Sequence, residues 1–364
     1  MKITHTIIYR FSIPMVPFEI ATGTMHFAQN VLVKVFTDAG VNGIGECSAF
    51  PMIVGETQET CLVLARDFAA IWKGKDPLAI DLRLAELDAY IAGNTTIKSA
   101  FDMALYDIAS KHANLPLYKF LGGELRIIYT DITVGIGTPE FMAATAVKYQ
   151  QQEAQTLKIK LGKNPEQDIE RIKAIRAEIE TLPIRIDANQ GWTYREALQA
   201  LKGLEPFQIE FCEQPMRCYD DSFLPELRRN TSIPIMADES CYNYHDVDRL
   251  AKAGACDYIN IKFAKSGGIN GALRITRAAL NHQLPCMMGG MLESRIALTA
   301  MVHFVMASAS IQFYDLDTAL LGQLVDPVVN GVVYDRYRLI LPDLPGIGAD
   351  VQPDFLENCD KWVV

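Results

Sequence analysis

Three carboxylates, three lysines and one closely spaced acid pair carry the chemistry legible in this chain. Asp187, Glu213 and Asp238 close three short apolar runs, PIRID, FQIEFCE and IPIMAD. Brought to one point, three like charges repel unless a cation holds them. Ligands that are all oxygen select a hard ion, Mg2+ first and Mn2+ as its substitute. Any one of these acids alone reads as a solvated loop residue or a helix cap, a reading that weakens for three at matching places. Lys158 and Lys160 lie two apart in LKIKLG, so on a strand both point to the face opposite Leu157 and Ile159. Lys262 ends another apolar run, DYINIK, and Asp315-Leu316-Asp317 puts two carboxylates on one side of the chain. That pair is either a loop acid plus a helix cap or a seat for a substrate cation. Together these groups could enolise an acid: a divalent cation grips a carboxylate, lowering the cost of an enediolate, while lysines move the proton on the adjacent carbon. A lysine must be neutral to accept that proton, and two bases on opposite faces permit inversion.

The elements that must position these residues follow a regular rhythm. Asn164-Pro165-Glu166-Gln167 offers an N-cap, a proline at the first helical position and a capping-box glutamine, ahead of Ile169, Ile172, Ile175 and Ile179 on one face. Thr193-Tyr194-Arg195-Glu196 is a second capping box, opening onto Ala197, Leu198, Leu201 and Leu204. Short strand-like runs alternate with such helices, and their ends fall at Thr133, Lys160, Asp187, Glu213, Asp238, Lys262, Gly289 and Asp315, at intervals of 24 to 27 residues. Eight strand-plus-helix units of near-constant length predict a (β/α)8 barrel, whose active sites sit at the C-terminal ends of the strands. A doubly wound sheet is the alternative architecture, but no GxGxxG follows the first strand.

Residues 126–322 form the expected barrel, preceded by 1–125 and followed by 323–364. Within the first segment, NVLVKVFT (30–37) and VNGIGE (41–46) read as a β-meander and TTIKSAFDMALYDIASK (95–111) as a helix. The hairpin character of VVNGVVYDRYRLILPD predicts that the tail rejoins the N-terminal part as one α+β capping domain.

Composition narrows the partners. The 364 residues are 49% hydrophobic and 21% charged, with a net charge of −10, which argues against general affinity for nucleic acid or anionic membranes and favours a small-molecule substrate. The uncharged stretch 296–314 contains Thr299, His303, Ser308, Ser310 and Gln312, so it reads as a buried helix and strand rather than a membrane span. His303 reads as a core histidine with its hydrogen bonds satisfied. The eight cysteines show no CxxC or zinc spacing, and the opening MKITHTIIYRFSIPM has no export-signal run, so reduced thiols and a cytoplasmic location are expected. A homo-oligomer is compatible with the sequence and not specified by it.

The chain resembles the enolase superfamily, muconate-lactonizing-enzyme subgroup, through LKIKLG (157–162), RIDANQGW (185–192), EFCEQP (210–215), ADES (237–240), NIKFAKSGG (260–268) and GGMLES (289–294). IKSAFDMALYDIASKHANLPLYKFLGG (97–123) is similar to the end of that family's capping domain. The resemblance implies Asp187, Glu213 and Asp238 as Mg2+ ligands, Lys160 and Lys262 as the two acid/base catalysts, and Lys158 as a contact to the substrate carboxylate. The Asp-x-Asp at Asp315 and Asp317 is similar to that of the dipeptide epimerases, where the pair holds the substrate's α-ammonium. It implies inversion of the C-terminal residue of an L,L-dipeptide, with Thr133 and Met291 as further substrate contacts. The resemblance assigns side-chain preference to two capping-domain segments, PFEIATGTMHF (17–27) and the one around Val54; similar epimerases acting on Ala-Glu place an arginine in the first, where Gly23 takes its place. L-Ala-L-Xaa with a small or hydrophobic Xaa is therefore expected, and a cationic one if Glu19 faces the pocket. The rival readings are another activity of the same scaffold (o-succinylbenzoate synthesis, N-acylamino-acid racemisation or cycloisomerisation) and a non-catalytic binding barrel. A metal-hydroxide hydrolase lacks the clustered histidines it would need.

Overall fold

A computed structural model describes residues 1–21 and 23–364 of the chain, Phe18 by its backbone alone. Two long strands open it, β1 (Ile3–Ile20) and β2 (Gly23–Thr37), antiparallel with a register slip between Pro14 and Phe18, and β3 (Asn42–Ser48) lies beside β2. The chain's last strand, Lys361–Val363, adds to the free edge of β1. The helix Thr95–His112 crosses this sheet at unusually close range. A Cβ on Gly45 would lie 1.9 Å from the carbonyl oxygen of Ala100, and one on Gly43 2.1 Å from that of Ala104. Backbone meets backbone there, with no flexible side chain to yield, so Gly45→Ala should cost about 3 kcal/mol and lower the midpoint of thermal unfolding by about 5 °C or more. A scanning-calorimetry trace unchanged from wild type would refute that packing.

The second body is an eight-stranded parallel sheet: β4 (Ile132–Val134), β5 (Leu157–Lys160), β6 (Ile184–Asp187), β7 (Ile209–Glu213), β8 (Ile235–Ala237), β9 (Tyr258–Ile261), β10 (Cys286–Gly289) and β11 (Ile311–Asp315), each hydrogen-bonded to the next. Helices follow each of the first seven strands, among them Pro165–Glu178, capped by Asn164, and Tyr194–Leu204, opened by the reciprocal Thr193–Glu196 box. The eighth unit departs from the sequence reading, having only the three-residue turn Thr318–Leu320 after its strand. The outer strands meet without a regular ladder. The Asp131 N–H donates to the Tyr314 carbonyl (3.0 Å), the Leu316 N–H to Thr130 Oγ1 (2.8 Å) and the Thr133 N–H to Asp317 Oδ2 (2.7 Å). Barrel closure is thus partly a side-chain matter, and Asp317 takes part in it.

Alternating residues of the strands fill the barrel in layers. A lower layer packs Phe211, Met236 and Met287 with Tyr258 and Phe313, and the Arg185 guanidinium lies 5.4 Å and 5.1 Å over the rings of Phe211 and Phe313. Two residues further along several of these strands stand Asp187, Glu213 and Asp315. The uncharged stretch is the helix Arg295–Ala307 running into β11, and His303 in it is fully buried. Its Nδ1 accepts the Tyr118 N–H (3.1 Å), its Nε2 lies 3.0 Å from the Ile347 carbonyl, and burial pushes its pKa down to about 4. No helix among the described residues is long and apolar enough to cross a membrane.

Candidate active site

Strand register brings the charged residues to one level. Lys160 pairs with Asp187 across β5 and β6, and Asp187 with Glu213 across β6 and β7. Asp238 and Lys262 each stand one residue beyond the end of their strands. The side chains interlock as ion pairs. Lys160 Nζ lies 2.7 Å from Asp187 Oδ2, and Lys262 Nζ lies 2.8 Å from Asp238 Oδ2. Lys158 Nζ, almost fully buried, touches Glu213 Oε2 (2.6 Å), Asp315 Oδ2 (2.6 Å) and Asp187 Oδ2 (3.2 Å). Lys265 Nζ reaches Asp238 Oδ1 at 2.5 Å.

Charge and burial set the protonation states against each other. For Asp187, burial alone would raise the pKa, but Lys160, Lys158 and Lys262 overcome it and hold the carboxyl down, to about 2. Asp238 is held lower still: burial opposes ionisation, and Lys262 and Lys265 outweigh it. Burial, then the neighbouring charge of Asp187, pushes Glu213 up to about 7. Lys262 resists the lowering effect of burial because Asp238 and Glu213 face it, and its pKa stands above the usual lysine range.

Do these residues fit a divalent cation? Glu213 Oε2 and both oxygens of Asp238 are buried, and the groups close to them are lysine ammoniums rather than backbone or amide donors. Hard oxygen donors with lone pairs to spare, crowded enough to raise one carboxyl, suit Mg2+. Among the described residues, the acids that bring one carboxylate oxygen each within 4.8 Å of one another are a different trio, Asp131, Asp315 and Asp317. Lys158 bridges the two groups of acids through Asp315.

Lys160, Lys262, Asp315, Asp317, Thr133 and Met291 line one cavity, roofed by Ile20, Phe50 and Ile53 and flanked by Leu321. Lys158 is placed beneath this cavity rather than in its wall. Gly23 also lies off the wall: a Cβ there would sit 2.3 Å from Met52 Sδ, so methionine occupies the space beside it. Thr22 in the same loop lies outside the described residues. Glu19, half-exposed, pairs with Lys163 instead of entering the cavity.

The two bodies match two halves of one family description. Residues 3–122 match the mandelate racemase / muconate lactonizing enzyme N-terminal domain, and residues 141–355 the enolase C-terminal domain-like family. The chain belongs to the mandelate racemase / muconate lactonizing enzyme family, within the enolase superfamily. It is 43% identical to a D-Ala-D/L-Ala epimerase of Cytophaga hutchinsonii over 99% of both chains. It is 38% identical to a hydrophobic dipeptide epimerase of Enterococcus faecalis, covering 91% of this chain and 94% of that one. The crystal structure of a dipeptide epimerase from Cytophaga hutchinsonii, complexed with Mg and D-Ala-L-Val, superposes with a TM-score of 0.98 at 42% identity over the whole of both chains.

Several members of this family site escaped the sequence reading. Asn260 Nδ2 donates to Glu213 Oε1 (2.6 Å), and Asp131 Oδ2 accepts from Arg185 Nη1 (2.9 Å). Asn260 and Asp131 stand two residues before Lys262 and Thr133, on the same alternating face, so strand parity alone could have found them. Glu239 is buried with both oxygens unpartnered, and burial followed by Asp238 pushes it up to about 8. Nothing local distinguishes it from an ordinary loop acid.

Proposed function

We propose that the protein is a magnesium-dependent dipeptide epimerase that inverts the α-carbon of the C-terminal residue of L-Ala-L-Xaa, with Xaa small or hydrophobic. The observation that carries this reading is a single cavity whose wall holds two lysines from far-separated strands, two aspartates and an apolar roof. Asp187, Glu213 and Asp238 would hold the cation, which supplies positive charge to a substrate carboxylate and so acidifies the carbon beside it. Lys160 and Lys262 then exchange the α-proton: one takes it from its side of the carbon, the other returns a proton from the opposite side, and the configuration inverts. Asp315 and Asp317 seat the substrate's α-ammonium, which fixes the distance from the N-terminus to the reacting carbon. Lys158, held among Asp187, Glu213 and Asp315, supports the carboxylate end from below. The roof of Ile20, Phe50 and Ile53 with Met291 offers no cation to an acidic side chain, and Glu19 spends its charge on Lys163. These features support hydrophobic over acidic or basic Xaa.

The deciding experiment incubates the protein and Mg2+ in D2O with a library of L-Ala-L-Xaa dipeptides and reads deuterium by mass spectrometry. A single deuteron should enter the hydrophobic members, and EDTA or N-acetylation should abolish its entry. Absence of exchange in every free dipeptide would overturn the assignment.

A further inference from the structure

A carboxylate is buried where the capping sheet meets the barrel, outside the cavity's lining. Glu46 of β3 is 1% exposed. Its Oε1 accepts from Asn30 Nδ2 (2.7 Å) and from the Ser294 N–H (2.9 Å), and its Oε2 from Ser294 Oγ (2.7 Å) and the Ala297 N–H (3.1 Å). Ser294 is the N-cap of the barrel helix Arg295–Ala307, so a capping-domain anion sits on the first turn of a thirteen-residue barrel helix, where free N–H groups and the helix dipole favour negative charge. The same contact clasps the preceding loop. Asn30 Nδ2 also donates to the Leu292 carbonyl (3.1 Å), and the Leu292 N–H donates to Ser48 Oγ (3.3 Å).

The two sides of this clasp lead directly into the cavity. Two residues past the end of β3 the chain reaches Phe50 and then Ile53 in the roof, and one residue before Leu292 stands Met291 in the wall. We propose that Glu46 is a positioning residue that fixes the roof of Phe50 and Ile53 against Met291 and thereby sets the width of the pocket for the substrate's second side chain. The proposal rests on the epimerase reading for what the pocket binds, though not for the clasp. A carboxylate is required because each oxygen accepts at least one N–H that cannot act as an acceptor, Asn30 Nδ2 and Ser294 N–H at Oε1 and Ala297 N–H at Oε2. A glutamine would turn its NH2 toward one of them, and a buried donor facing a donor opens the joint.

The test compares wild type, Glu46→Gln and Asp107→Asn. Asp107 is an equally buried acid of the capping helix that accepts from the Ile44 and Ile347 N–H groups and pairs with Lys111; it holds the same strand as Glu46 without touching Ser294 or Ala297, so it separates the clasp from a general loosening of β3. In Glu46→Gln, amide exchange at Ser294 and Ala297 should accelerate by about tenfold or more, while Asp107→Asn leaves those amides as in wild type. The preference for L-Ala-L-Leu over L-Ala-L-Ala should fall by about tenfold in Glu46→Gln, through KM with kcat little changed, and stay constant in Asp107→Asn. Should Glu46→Gln not fold, Ser294→Ala removes one of the four donors and should move both readouts the same way by less. Unchanged exchange at Ser294 and Ala297, or faster exchange with an unchanged preference, would overturn the proposal. If wild type turns over no dipeptide, the epimerase reading falls, and the exchange comparison still decides the clasp.

Discussion

Alanine at either Lys160 or Lys262 should reduce epimerisation by about a thousandfold or more, near the upper part of what a positioned general base contributes. The more telling result concerns what survives. Each lysine reaches the cavity from a different strand end, Lys160 from β5 and Lys262 from beyond β9, four strands round the barrel. If each serves one face of the α-carbon, the single variants still hold one base apiece. Lys160→Ala should then exchange the α-proton of one diastereomer with solvent deuterium without inverting it, and Lys262→Ala should do so only with the other. Chiral chromatography coupled to mass spectrometry reads both at once. Both variants labelling the same diastereomer would refute the two-base arrangement. Loss of fold is a smaller concern for Lys262, because Asp238 keeps Lys265 at 2.5 Å, than for Lys160, whose removal leaves Asp187 with Lys158 at 3.2 Å. Circular dichroism on each variant separates the two causes.

How much of this was legible beforehand follows from which signals are local. The barrel's strand ends were, because a repeat of 24 to 27 residues and an alternating pattern are both written in the chain itself. Lys160, Asp187, Glu213, Gly289 and Asp315 are the last residues of their strands, and Thr133, Asp238 and Lys262 lie one residue from an end. The strand Ile3–Ile20 was harder to see, since Pro14 and Pro17 argue against a paired strand, and the chain accommodates them at a slip between Pro14 and Phe18. Least legible were contacts made across long separations. Glu46 in VNGIGE and Asp102 in SAFDMAL sit in apolar runs with no partner nearby in sequence, yet each caps a barrel helix, Asp102 Oδ1 accepting from the Ile269 N–H at 2.5 Å. The cost of burying a carboxylate says only that donors exist somewhere. The roof is the exception among long-range features: the family resemblance points to the segment around Val54 as a source of side-chain preference, and Phe50 and Ile53 of that segment line the cavity.

Asparagine at Asp317 should raise KM for free dipeptides by about a hundredfold, the range expected when a buried ammonium loses a charged partner. Asp317 is the cleaner of the two seat residues to remove. Asp315 is held by Lys158 at 2.6 Å, so Asp315→Asn also frees a buried ammonium beside Asp187 and Glu213. Among the described residues the Asp317 carboxylate is held by Thr133, whose N–H donates to Oδ2, and asparagine can keep that contact through its carbonyl, so the barrel closure survives while the charge goes. Burial, then the charge of Asp315, pushes Asp317 up to about 7. Its ionised form, which an ammonium requires, is therefore lost as the pH falls through that value. Wild-type KM for a free dipeptide should accordingly rise toward acid pH across about 7, and the Asp317→Asn variant should lose that slope. A KM that is indifferent to both pH and the substitution would mean the ammonium sits elsewhere, and N-acylated amino acids would then become the better substrates to test.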